Sequence, residues 1–412
     1  MMTLAVVWAS PAMAVFGDDG DTTALSDDRR IGEINVTGNT RTDTELLLHV
    51  MNLRIGGPFD ADLLDRAWDA LEDCGYFRFV EIDYDDDDPD RVVLDVMVEE
   101  DITLFYGPLF RYDRRHKYDL GGWVEERNLR GRGETLRLEA AALYRQGGLL
   151  SWHRPWLFGV AGLSATVDIG GELADFVYRP FRYRKWDTQA TLRWNPVGHL
   201  FVGGDAKYGY FQQRDEYRGI LPDRGPEGPA GVALFGVSQE NHWALGATIG
   251  FDSRDNPYYP QRGILAQATV RNWQSNGFAD YTESLADLRA FVPLPWREHI
   301  LALHAWGRQV DGPTPIDNAL YFGGPETVRG YRYASREGEH GYLLSAEYRL
   351  PLFLMQISPK GEVVGFGFHF FGDAGDAWDD GAEAGVAQMS YGGGAHFNLD
   401  TWQLRFEAAR TK

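Results

Sequence analysis

The sequence predicts a transmembrane antiparallel β-barrel preceded by one small α+β module, and three observations carry that prediction. From about Ile102 onward, apolar and polar residues alternate with period two. Aromatic residues make up 14% of the chain, with 13 Trp and 48 Gly, although mean hydropathy is negative. No apolar run reaches the roughly 18 residues that a spanning helix needs. Barrel strands escape hydropathy scans because lipid-facing and lumen-facing residues alternate over segments of about 10 residues, with aromatic girdles at both interfaces. Helical spans are excluded on the same grounds.

At 412 residues the chain is long enough for two or more domains. Its net charge of −21 argues against a nucleic-acid partner, because phosphates demand clustered Lys and Arg. Residues 1–14 contain Leu4-Ala5-Val6-Val7-Trp8-Ala9 and then Ala12-Met13-Ala14, the apolar core and small-residue site of a secretory signal without its charged start. They are expected to be a truncated signal peptide, followed by an acidic linker over 15–30. The single Cys74 allows no intrachain disulfide and, on a helix, reads as a buried structural thiol.

Residues 31–101 read as the module. Ile31-Gly32-Glu33-Ile34-Asn35-Val36 alternates as a short strand. Thr42-Asp43-Thr44-Glu45 places an acid three residues after a hydroxyl, a capping box that predicts Thr42 at the start of a helix running to about Met51. Asp60 or Asp62 caps a second helix, in which Leu63, Leu64, Ala67, Trp68 and Leu71 recur at helical spacing until Gly75. Two strands near Arg78–Tyr84 and Arg91–Val98 close the unit. The run Asp85-Asp86-Asp87-Asp88 between them lacks the spaced oxygen ligands and turn glycine of a calcium loop and reads as a solvated hairpin tip.

Residues 102–412 read as the barrel. Leu136, Leu138, Ala140, Ala142 and Tyr144 share one face against Thr135, Arg137, Glu139 and Arg145 on the other, and such inward charges suit a wet lumen rather than a sandwich core. Trp243, Leu245, Ala247, Ile249 and Phe251 repeat the pattern, and no helix is expected to intervene. If the module feeds the first strand from one side, the long connections 214–239 and 309–341 fall outside. The tight ones, Asn195-Pro196-Val197-Gly198 and Pro293-Leu294-Pro295, then fall inside, as in bacterial outer-membrane barrels.

Val328-Arg329-Gly330-Tyr331 is the candidate functional motif. A cation on a loop can enter a barrel only if carboxylates face the same lumen. In the next strand Leu344, Ala346, Tyr348 and Leu350 form the apolar face, which turns Ser345, Glu347 and Arg349 inward. One strand later Val364, Phe366, Phe368 and Phe370 are apolar, so Gly365, Gly367, His369 and Asp373 face inward. Arg329 is therefore expected within hydrogen-bonding reach of Glu347, Asp373 or both, where a guanidinium fork matches carboxylate geometry. A second motif, Gly250-Phe251-Asp252-Ser253-Arg254-Asp255-Asn256 with Pro260-Gln261-Arg262-Gly263, can order an inner turn through Asp252, Arg254 and Asp255.

Soluble catalysis finds no support. The 10 His are scattered, with no His-Glu-x-x-His, Gly-x-Ser-x-Gly elbow or phosphate-binding glycine loop. The glycines of Gly392-Gly393-Gly394 lie in a strand, and His369 and His396 read as lumen or turn residues. No catalytic residue, cofactor or metal ligand is assigned.

The β-α-α-β-β order with Gly38-Asn39-Thr40-Arg41-Thr42, Gly56-Gly57-Pro58-Phe59-Asp60, Gly75-Tyr76-Phe77 and Val98-Glu99-Glu100 resembles a POTRA domain. Such periplasmic modules precede the barrel in the BamA/TamA outer-membrane assembly superfamily and in two-partner secretion transporters. Asp252–Gly263 resembles an inner-turn signature of those relatives, and Val328–Tyr331 resembles their lumen-inserted sixth outer loop. The resemblance implies that Arg329 meets Glu347 and Asp373, that the family barrel has sixteen strands, and that the protein lies in the bacterial outer membrane. It further implies that the protein inserts β-barrel proteins or moves polypeptides across that membrane. Partners would be the bilayer, unfolded outer-membrane or secreted clients, and accessory periplasmic proteins. A single module departs from the several of the main assembly proteins and the usual two of two-partner transporters. It keeps open a membrane anchor and export module of a patatin-like lipase system, or a passive porin. About 15 strands are counted, four of them after residue 341, and the chain ends Arg410-Thr411-Lys412 without a terminal aromatic. A C-terminal truncation by one strand is therefore expected, with the first strand near 103–112 either left with an incompletely paired edge or closing imperfectly onto residues 401–411.

Overall fold

The structure, a computed structural model, describes residues 29–85, 88, 90–113, 117–143, 145–176, 182–214, 239–276, 279–296, 298–315, 317–332, 334–356, 363–379, 381–382, 385–400 and 402–412. The expected signal segment 1–14, nearly all of the 15–30 linker, Asp86 and Asp87 of the acidic tip, and almost the whole 214–239 connection lie outside the described residues.

The amino-terminal module runs β1 (Arg30–Thr37), α1 (Thr44–Met51), α2 (Ala61–Asp73), β2 (Phe77–Asp85) and β3 (Arg91–Glu100). Its sheet has the order β1-β3-β2, with β3 in the centre, parallel to β1 and antiparallel to β2. The apolar stripes of the helices and the inward residues of the strands make one core, which includes Leu47, Leu71, Val92, Leu94 and Val96. Asp60 caps α2 by accepting the Asp62 N–H at 3.2 Å. Cys74, buried at the end of α2, donates its thiol to the Leu71 carbonyl at 2.9 Å.

The capping residue of α1 is Asp43, not Thr42. Asp43 accepts the Glu45 N–H at 3.2 Å, while the Thr42 hydroxyl accepts from Asn128 Nδ2 at 2.9 Å and is thereby drawn away from the helix. The Thr42 N–H instead donates to Glu100 at 2.6 Å, joined there by the Arg41 N–H at 2.8 Å and the Thr40 hydroxyl at 2.7 Å. Burial pushes the Glu100 carboxyl up, but hydrogen bonds from the Thr40 and Thr42 side chains and from the Arg41 and Thr42 backbone outweigh it and hold the group at about 2. A depressed pKa stabilises the fold above the ordinary value of 4.5, and that contribution is lost as pH falls from there towards 2. Urea unfolding of the module in the complete chain is expected to weaken by roughly 1–2 kcal/mol between pH 6 and pH 3, allowing for solvent screening. Glu100→Gln should remove that part of the pH dependence.

Beyond the module, a single sheet begins with β4 (Leu104–Asp113), β5 (Lys117–Leu129), β6 (Glu134–Leu143), β7 (Gln146–Arg154) and β8 (Leu163–Asp175). It continues through β9 (Arg182–Val197), β10 (Leu200–Arg214), β11 (Gln239–Asp252), β12 (Gly263–Ser275), β13 (Tyr281–Pro293) and β14 (Ile300–Asp311). The loop after β14 carries a small hairpin, β15 (Leu320–Phe322) and β16 (Arg336–Gly338), before β17 (His340–Gln356), β18 (Val363–Trp378), β19 (Gln388–Asp400) and β20 (Trp402–Thr411). The sheet has 15 strands in sequence order, each antiparallel to its neighbours, with β14 pairing directly to β17. Among the described residues β4 pairs only with β5, and β20 only with β19. An odd number of alternating strands leaves these two edges running in the same direction.

The alternation fixes the faces as read from the sequence. Leu245, Leu344 and Phe370 are exposed on the lipid side, whereas Glu139, Glu347, His369 and Asp373 are buried in the lumen. Three features differ from the sequence reading. A three-residue 3-10 turn, Leu157–Gly159, interrupts the strands between β7 and β8. The inner connection 253–262 is not tight, because it folds inward and buries Tyr259 in a cluster with Phe291, Ile300 and Val363. Several outer connections, such as that between β6 and β7, are as short as inner ones.

The module sits against the first two inner turns. The Asp43 N–H donates to the Gly131 carbonyl at 2.9 Å, the Tyr76 hydroxyl meets the Gly133 carbonyl at 3.4 Å, and Trp156 packs on the module's core. With the Thr42–Asn128 bond, these contacts define the inner side of the barrel.

Candidate functional site in the barrel lumen

The loop from residue 312 to 339 turns inward rather than away from the barrel. Phe322 and Val328 are fully buried in a cluster with Leu343 and Ala377, flanked by Trp306, Leu320 and Tyr331. This apolar anchor places the next residue, Arg329, in the polar lumen. Gly330 follows with φ of +89°, and a Cβ there would stand 2.7 Å from the Ala409 Cβ, so both conformation and space call for glycine.

Arg329 uses its guanidinium completely. Nε and Nη2 form a fork on Asp373 at 2.8 and 2.7 Å, Nη1 donates to Glu347 at 2.7 Å and to Glu407 at 3.2 Å, and Nη2 also reaches the Ser345 hydroxyl at 3.2 Å. Five N–H groups are available and five bonds are made. The Arg329 backbone N–H adds a bond to Asp373 at 3.1 Å, and the guanidinium lies 3.6 Å from the centre of the Phe371 ring. Ser345 in turn donates to Asp373 at 2.7 Å.

The surrounding charges balance. Arg349 contacts Glu347 at 2.8 Å, Arg405 contacts both Glu347 and Glu407, and His369 meets Glu407 at 2.9 Å. Three carboxylates thus face three guanidiniums in a site where Asp373 and His369 have almost no exposure. Buried charges are costly unless paired and hydrogen-bonded, so such a group is stable only as a complete set.

The structure brings together Arg329, Glu347 and Asp373. Val328 anchors the loop, and Tyr331 accepts the Met389 N–H at 3.3 Å and donates to the Lys412 carbonyl at 2.9 Å, tying the loop to the β19–β20 edge. The inner-turn residues lie apart from this centre. Arg254 forks onto Asp252 at 2.8 Å through both Nε and Nη2, and Asp255 accepts the Gln261 and Arg262 N–H groups at 3.0 and 3.2 Å. They order the 253–262 turn, from which Tyr259 reaches His396 at 3.1 Å. Sequence reasoning missed Glu407 and Arg405 on β20. Their signal was present, since Gln403, Arg405 and Glu407 alternate with apolar neighbours on one strand face.

Comparisons with known proteins agree with the fold. The family described as "Omp85 superfamily domain" matches residues 128–411, and the POTRA family described as "Surface antigen variable number repeat" matches residues 29–101. The chain is similar to the outer membrane protein assembly factor BamA of Neisseria meningitidis serogroup B, 24% identical over 92% of this chain and 51% of that protein. It is likewise similar to BamA of Nitratidesulfovibrio vulgaris, 23% identical over 73% of this chain and 37% of that one. It therefore spans about half, or less, of the length of these curated relatives. Among solved structures, BamA from Haemophilus ducreyi lacking POTRA domains 1–3 superposes with a TM-score of 0.67 at 15% identity, covering 93% of this chain and 85% of that one. CdiB from Acinetobacter baumannii superposes with a TM-score of 0.59 at 14% identity, covering 94% of this chain and 71% of that one. At these identities the solved structures show a shared fold.

Proposed function

Since the chain belongs to the Omp85 superfamily and is an outer-membrane barrel with its POTRA module on the periplasmic side, we propose that it inserts β-barrel proteins into that membrane. The supporting observation is the module's three-stranded sheet, in which β1 and β2 lie at the two edges, held by the contacts at Gly131 and Gly133 on the inner side of a barrel of this family. An unpaired edge presents a row of N–H and C=O groups that an extended polypeptide can satisfy by adding a strand. In the bilayer core strand pairing is strongly favoured, because no water is there to satisfy the client's backbone. Arg329 and its partners keep the loop inside the lumen, so that client insertion does not open a free aqueous channel.

The test is folding of a urea-denatured outer-membrane barrel into vesicles containing this protein, followed by the client's heat-resistant migration and protease protection. The proposal expects faster folding than into empty vesicles of the same lipid. An equal rate would reject insertion, and passage of a client into the vesicle interior without membrane integration would assign translocation instead.

A further inference from the structure

Near the outer end of the lumen, on the wall away from Arg329, Glu240 and His242 lie two residues apart on the inward face of β11 and Asp317 faces them from the loop after β14. We propose that these three residues form a divalent transition-metal site of the zinc class that ties the loop to the barrel wall. One ligand atom from each comes together within 4.8 Å of the others. Glu240 Oε1, His242 Nδ1 and Asp317 Oδ1 are all buried without a hydrogen-bond partner among the described residues. Buried polar atoms without a hydrogen bond are costly and rare, and one shared cation would satisfy all three. Glu240 is 3% exposed and His242 7%. His242 Nδ1 and Glu240 Oε1 are 3.6 Å apart, close to the roughly 3.3 Å edge that a tetrahedral site with metal–ligand bonds near 2.0–2.1 Å requires.

The surroundings are built for this use. Gly209 lies between His242 and Asp187 in the sheet, and a Cβ there would meet His242 Nε2 at 2.3 Å and Asp187 Oδ1 at 2.6 Å. Its absence opens a notch in which the Asp187 carboxylate stands 3.7 Å from His242 Nε2, on the side of the ring away from Glu240. The Asn318 carbonyl accepts from Arg308 Nη2 at 2.7 Å and so holds the Asp317 segment against the wall. Charge also favours a dication: Asp187, Glu240 and Asp317 outnumber Lys185, which is 3.4 Å from Asp187 and 3.9 Å from Asp317. The metal and the Lys185 ammonium compete for Asp317.

The test uses the complete chain, refolded in detergent, stripped with chelator and titrated with Co(II), with Zn(II) as the displacing ion. One equivalent is expected to bind, with ligand-field bands that Zn(II) abolishes. Asp317→Asn and His242→Gln should each weaken binding by more than about tenfold, and Lys185→Gln should strengthen it. Heat-dependent migration verifies that each variant is folded. Should a variant not fold, proteolysis of the 312–339 loop in the wild-type protein decides the matter, with slower cleavage in Zn(II) than in chelator. No saturable binding, binding unchanged in Asp317→Asn, or cleavage indifferent to the metal would overturn the proposal.

Discussion

Arg329→Ala is expected to free the lumen loop, because it leaves three inward carboxylates, Asp373, Glu347 and Glu407, facing only the two guanidiniums of Arg349 and Arg405. Removing one member of a buried ionic set costs roughly 3–5 kcal/mol when the site is dry, and much less where water can enter. The loop's own apolar anchor, Phe322 and Val328, partly offsets the loss. Hydrogen exchange and protease access should therefore rise over residues 320–332 relative to the wild type, while the sheet keeps its own protection. Arg329→Lys retains the charge but not the fork onto Asp373, and should fall between the two. Wild-type protection in Arg329→Ala would show that the apolar anchor alone holds the loop.

The second large effect belongs to the module. Leu71 has no exposure and packs in the module's core with Leu47 and Leu94. Leu→Ala at such a site costs about 2–5 kcal/mol, through lost transfer energy and the cavity left behind. A domain this small has only a few kcal/mol to lose. Leu71→Ala should therefore abolish exchange protection over residues 44–73 and leave the barrel's heat-resistant migration unchanged. Loss of the barrel together with the module would mean that the contacts at Gly131, Gly133 and Trp156 couple the two into one cooperative unit.

What the sequence discloses follows from the range of the physics. Period-two alternation is local, so the lipid and lumen faces of β11, β17 and β18, and with them Glu347 and Asp373, can be read directly. The helix stripes of α1 and α2 are local as well. The position of the α1 cap is not, because Thr42 is claimed by Asn128, 86 residues away. Glu407 joins Arg329 across 78 residues, and Glu240 and His242 meet Asp317 only once β11 and the loop after β14 share a wall. The inward fold of the 253–262 turn depends on a cavity for Tyr259 that strands far along the chain create.

The central claim, that this barrel assembles others in the outer membrane, is tested most directly by depleting the protein in its own cells and measuring the outer-membrane proteome, with wild-type and Arg329→Ala complementation. The account predicts a broad loss of barrel proteins that wild type restores fully and Arg329→Ala only in part. An unchanged set of barrels after depletion, or the loss of one secreted protein alone, would contradict it.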